Sequence, residues 1–162
     1  MNHKYVALFL MAFSSALSAN TLKVATFNVS MESTNYKALG LAPSAKVLQQ
    51  VLSNGENQQV KNIAEIIQRV NPDILLLNEF DYIADQSVGI DNFIKHYLNV
   101  SQAGQKAVDY GYVYTNTVNT GEPTNFDLDN NGKKEQYGGD AYGYGLYPGQ
   151  YGMVVLSKYP IE

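Results

Sequence analysis

"NPDILLLNEFD", residues 71–81, sets a continuous apolar run at 74–77 against an abrupt polar end in Asn78, Glu79 and Asp81. The run suits a strand covered on both faces, and Pro72 disfavours helical geometry at Asn71, so a helix that precedes it ends there. A buried strand gains nothing from carboxylates at its end unless they meet something positive. What that partner is becomes the functional question.

Upstream, Val60, Ile63, Ala64, Ile67 and Val70 recur at helical spacing with Lys61, Glu65 and Arg69 between them, which predicts an amphipathic helix. Further back, "LKVATFNV" alternates and is rich in sheet-forming residues, which predicts a first strand over 22–29. Between the two, Pro43 and "SAKVLQQVL" predict a short helix capped by Ser44. Strand, helix and strand in this order form a crossover unit, so the two strands lie parallel or in one mixed sheet with their carboxyl ends on one edge. That edge brings Asn28 and Glu79 together although 51 positions separate them.

Downstream, Ile90, Phe93, Ile94, Tyr97 and Leu98 predict another helical face, "YGYVYTN" a third strand and "YGMVVLSKYPI" a last one ending in a turn. Residues 116–150 between these strands are rich in Gly, Asn, Asp and Tyr, longer than an ordinary connection and too aromatic for simple disorder.

At the other end, Lys4, an apolar run over 5–13 and the small residues "SSALSA" read as a secretory signal peptide over 1–19, leaving 20–162 as one domain. The apolar run is far shorter than the roughly 18 to 20 residues of a membrane span. Export to the periplasm or the cell exterior is expected. Without Lys4 the chain carries 15 acidic and 10 basic residues, a net charge of −5. Such a balance does not hold nucleic acid by bulk electrostatics, and a phosphate ester would need a bound cation for local positive charge. With no cysteine, disulfides, thiol catalysis and thiolate zinc sites are excluded.

A carboxylate and an amide oxygen at neighbouring strand ends are hard oxygen donors of the kind that hold Mg²⁺ beside a phosphate. The plainer alternative is that Asn28 caps a turn and Glu79 forms a surface ion pair. Three segments, "KVATFNV", "NPDILLLNEFD" and "YGMVVLSKYPI", together resemble the early motifs of the endonuclease/exonuclease/phosphatase superfamily, which includes the DNase I-like nucleases. The resemblance runs from Leu22 to Glu162. It implies an α/β fold, a layered α/β/β/α sandwich of which this chain supplies the first part.

It also implies a metal-dependent phosphoester hydrolase using Mg²⁺ or Mn²⁺, with Glu79 as metal ligand and Asn28 in the metal and phosphate pocket. The substrate is nucleic acid, a nucleotide or a phosphorylated small molecule; no oligomer is implied. Asn78 departs from the glutamine more usual before that glutamate. Gly152, Leu156, Ser157 and Pro160 fall where the third motif places them, and their plain reading is structural. Tyr151 is a candidate contact for a substrate sugar or base at the pocket rim.

The family's histidine base and its later Asp-x-Asn and Asp-His pairs have no match here. After the leader the sole histidine is His96, in a helical segment that nothing places beside Glu79. The expectation is therefore an amino-terminal portion, inactive alone, with an exposed apolar sheet face. Separately, "DLDNNGKKE" sets Asp127, Asp129 and Asn131 at alternate positions before Gly132, like the opening of a Ca²⁺ loop. Gly138 stands where the bidentate glutamate belongs, leaving Asp140 or Glu135 as substitutes, and a solvated turn has the same composition. A competing function is a secreted, non-catalytic binding module whose contact surface is the Tyr/Gly-rich loop.

Overall fold

The computed structural model describes residues 21–162; the expected leader lies outside the described residues. Four strands form one mixed sheet: β1 (Val24–Met31), β2 (Ile74–Phe80), β3 (Tyr112–Thr115) and β4 (Met153–Ser157). Their order is β1-β2-β4-β3, with β1 parallel to β2 and both other pairings antiparallel. The architecture is mixed α/β and fits part of a DNase I-like fold. Strand β1 begins and ends two residues later than the alternation predicts, because its pairing with β2 starts at Val24↔Ile74 and resumes at Met31↔Phe80 past an irregularity.

Helices α1 (Ala45–Leu52) and α2 (Gln58–Val70) fill the crossover between β1 and β2. Ser44 takes the extended conformation expected before α1, but its hydroxyl donates backwards to the Ala42 carbonyl instead of capping the helix. Helix α2 is capped at its start by Asn57, whose side-chain oxygen accepts from the Val60 amide. At its end Asn71 turns left-handed with φ 48°, which frees the chain to enter β2. Val60, Ile63, Ala64 and Ile67 are buried as the spacing predicts, whereas Val70 is exposed, because the chain is already turning there.

The third helical face is short: α3 (Ile90–Phe93) widens into a π-turn over Ile94–Leu98, closed by the Asn99 amide donating to the Ile94 carbonyl. That wider turn keeps Phe93, Tyr97 and Leu98 all buried. The Tyr97 hydroxyl donates to the Val51 carbonyl at 2.8 Å and accepts from the Asn57 amide.

The helices cover only one face of the sheet. Val29, Met31, Leu75, Leu77, Val154 and Leu156 join the helices in one core, whereas Ile74 and Leu76 are half-buried on the opposite face. The run at 74–77 is thus covered on one side only among the described residues, not on both. Val24, Tyr112, Tyr114 and Met153 on that open face are exposed, as expected of a sheet lacking a second layer. No described helix is long and apolar enough to cross a membrane.

Candidate metal and phosphoester site

The parallel pairing sets Asn28 directly beside Asn78, so Glu79 stands one step past the end of the regular ladder. Strict alternation would turn Glu79 inward after Asn78. Instead its backbone is left-handed, φ 56°, and the side chain emerges half-buried while Phe80 takes the inward place. Opposite, Ser30 has φ 48° and β1 carries the extra residue of a bulge. A bulge re-aims side chains, and left-handed non-glycine residues are strained, so both strand ends are bent to hold this rim.

The rim's polar groups differ in how they are occupied. Asn78 donates its amide to the Thr26 hydroxyl across the sheet at 2.8 Å. The Asn28 side-chain oxygen accepts from the Ser30 amide at 3.0 Å and from the Ser30 hydroxyl at 3.4 Å, a local turn that steadies the bulge. The turn-capping reading of Asn28 therefore holds, without excluding a ligand role. The ion-pair reading of Glu79 does not: its carboxylate has no hydrogen bond and no basic partner among the described residues. The register sets Glu79 one residue beyond Asn78, the strand partner of Asn28, so both oxygen-bearing side chains stand at the same end of the β1–β2 ladder.

Behind the rim lies a buried network that the sequence reading did not assign. Asp81 is fully buried and accepts from the Ser33 amide at 3.0 Å, the Tyr151 amide at 3.2 Å and the Tyr147 hydroxyl. Burial raises its carboxyl from 3.8 to about 7, against the opposing pull of those donors. Glu32, also buried, accepts from the Thr34 amide and from the Gln150 side chain at 2.7 Å. The Ser33 and Tyr36 hydroxyls, both buried, have no partner among the described residues. The signal for this network was the acid at position 81, but its donors come from positions 33, 147 and 151, which no local pattern ties together.

Tyr151 is itself left-handed, φ 58°, and half-buried. Burial, then Glu32, Tyr144 and Glu79 nearby, push its hydroxyl above the ordinary phenol range, and its amide donates to Asp81, two residues past Glu79. Next to it, a methyl group on Gly152 would sit 2.6 Å from the Phe80 carbonyl oxygen, so only glycine lets β4 press against the bent end of β2.

A second acidic cluster forms in the long loop. Asp127, Asp129 and Asp140 each offer an oxygen within 4.8 Å of the others and could hold a metal ion. Asp140 takes the place left by Gly138; Glu135 contributes only its backbone amide, donated to Asp140 at 2.7 Å. Amides of Leu128 and Asp129 also donate to Asp140, and these backbone donors, Glu135's first, hold its carboxyl below the ordinary range. Asn131 donates its amides to Asp127 and Asp129 while its side-chain oxygen accepts from Lys133. His96 sits half-buried on the π-turn with its Nδ1 at 3.1 Å from the Leu52 carbonyl oxygen, a structural contact at the end of α1.

The model of the endonuclease/exonuclease/phosphatase family matches residues 25–162. No curated protein matches the chain, and no solved structure does. The matched span opens in β1 and takes in Asn28, Glu79 and the whole of β4.

Proposed function

The chain belongs to the endonuclease/exonuclease/phosphatase family, whose members are in general phosphoester hydrolases, and on that footing we propose that it serves an exported, divalent-metal-dependent hydrolase of this kind. The observation that carries the reading is Glu79: a carboxylate on a strained strand end, without a cation partner among the described residues, beside the amide oxygen of Asn28. Glu79 and Asn28 would hold Mg²⁺ or Mn²⁺. Such an ion, when bound, supplies positive charge for the phosphoryl oxygens and the leaving group. Asn28 and Asn78 fix the rim through the bulge and the Thr26 contact, and Asp81 anchors Tyr151 beside it.

His96, held against Leu52, is not the base that activates water in this reading. We assign that role, and the remaining phosphate contacts, to later motifs of the complete domain. In the loop, Asp127, Asp129 and Asp140 suit Ca²⁺, which would order the segment beside the rim.

The test is Glu79→Gln in the full-length protein, assayed on a phosphodiester with Mg²⁺. Loss of hydrolysis with an unchanged far-UV spectrum supports the proposal. Hydrolysis by the variant at the original rate refutes the role of Glu79, and no hydrolysis by the parent protein with Mg²⁺ favours the non-catalytic binding module.

A further inference from the structure

Two Asn-Gly steps occur in the chain, Asn54-Gly55 between α1 and α2 and Asn131-Gly132 in the long loop. Both asparagines are exposed, and both glycines take positive φ, 73° and 83°. In sequence the two steps are alike. Glycine leaves its main-chain nitrogen unscreened, so that nitrogen can attack the side-chain carbonyl carbon of the asparagine before it, a reaction that makes asparagine thermolabile. The fold treats the two steps differently.

At Asn131-Gly132 every group that the reaction needs is held. The Gly132 amide donates to Asp127 at 2.9 Å, the Asn131 side-chain amide donates to Asp129 at 3.0 Å, and the Asn131 side-chain oxygen accepts from the Lys133 amide at 2.9 Å. At Asn54-Gly55 only the side-chain oxygen is engaged, accepting from the Glu56 amide at 3.0 Å. The Gly55 amide and the Asn54 side-chain amide have no partner among the described residues. Charge acts in the same sense, because the nucleophile is the amide nitrogen after loss of its proton. At Gly132 that anion would form against the Asp127 carboxylate. At Gly55 it forms beside a cleft of about 500 Å³, where Asn54 and Gly55 meet Lys61, Lys95 and His96, with Glu56 the one acid in the lining. Glycine is kept at 55 by packing, since a methyl group there would lie 3.1 Å from the His96 carbonyl oxygen.

We infer that Asn54 is a site of spontaneous deamidation and that the Asp127 loop protects Asn131 from the same change. Solvent base takes the Gly55 amide proton, and the nitrogen bonds to the side-chain carbonyl carbon of Asn54. The bond from that carbon to the side-chain nitrogen breaks, and the nitrogen leaves as ammonia with a proton from water. Water then opens the cyclic imide at either carbonyl, leaving aspartate or isoaspartate at position 54. One further negative charge thus enters the cleft that Lys61, Lys95 and His96 line.

The experiment ages the full-length protein in mildly alkaline buffer, folded and in parallel in urea. Mass spectrometry then follows the tryptic peptides 47–61 and 107–133, with the modified residue located by fragmentation. In the folded protein Asn54 should deamidate at least about tenfold faster than Asn131, the factor expected when a hydrogen bond to a carboxylate must break first. In urea the two rates should converge. Asp127→Ala should bring Asn131 close to the Asn54 rate in the folded protein, and Asn54→Gln should remove the change from 47–61. Equal rates in the folded protein, faster change at Asn131, or a gain in 47–61 that survives Asn54→Gln overturns the inference. A rate difference that persists in urea does so too, since it would then come from sequence and not from the fold.

Discussion

Glu79 and Asp140 are both carboxylates at turns, yet the chain treats them in opposite ways. Three backbone amides saturate Asp140 within its own loop, while Glu79 has no donor among the described residues despite the strain that positions it. A carboxylate satisfied by its own backbone organises a loop whether or not a metal arrives. One held open at a strand end satisfies no donor of the fold, and its oxygens stay available to a ligand.

The sharpest way to break that comparison is Glu79→Gln. It should lower hydrolysis by about 10³-fold or more, since a metal's charge stabilisation amounts to several kcal/mol, and leave the thermal midpoint almost unchanged. A lowered midpoint with retained rate would make Glu79 structural after all.

Asp81 offers the next largest effect, on stability. Its folded value of about 7 lies above the ordinary 3.8, so the native state binds the extra proton between those values. Stability should therefore be highest near pH 4, fall as pH rises toward 7 and level off above it, by on the order of 3 kcal/mol. Urea midpoints at pH 4.5 and 7.5 measure this, and Asp81→Asn should flatten the profile; an equally steep slope in the variant would place its origin elsewhere. Gly152→Ala, which drives a methyl group to 2.6 Å from the Phe80 oxygen, should cost about 3 kcal/mol in a denaturant titration at fixed pH. Retained stability would mean that β4 can retreat from the rim.

The smallest expected effect concerns the loop. Asp140→Ala should increase proteolytic cleavage over 116–150 several-fold while sparing the sheet. Ca²⁺ should protect the parent loop more than the variant. Equal protection of both by Ca²⁺ would remove Asp140 from any metal site.

Much of the rim was legible in the sequence because it rests on periodicity and on one crossover. Alternation in β1, helical spacing in α2 and Pro72 before β2 suffice to bring Asn28 and Glu79 to one edge. The strand bounds of β1 shifted, and Ser44 did not cap, because both depend on local bonds that compete with a pattern. The left-handed turn at Glu79 was not legible, since nothing in glutamate favours φ 56°; packing of Phe80 and Gly152 imposes it. For the same reason the Asp81 network escaped notice: its partners meet only after the long loop has folded back.

That return has a temporal meaning. Thr26 pairs with Leu76, 50 residues on, whereas Leu77 pairs with Val154, 77 residues on. With the amino end available first, β1, α2 and β2 can assemble before β4 joins them, so the two strands that carry Asn28 and Glu79 meet early. Until β4 arrives, the far edge of β2 is an unpaired template exposed to other chains, and insertion of the most distant strand becomes the slow step.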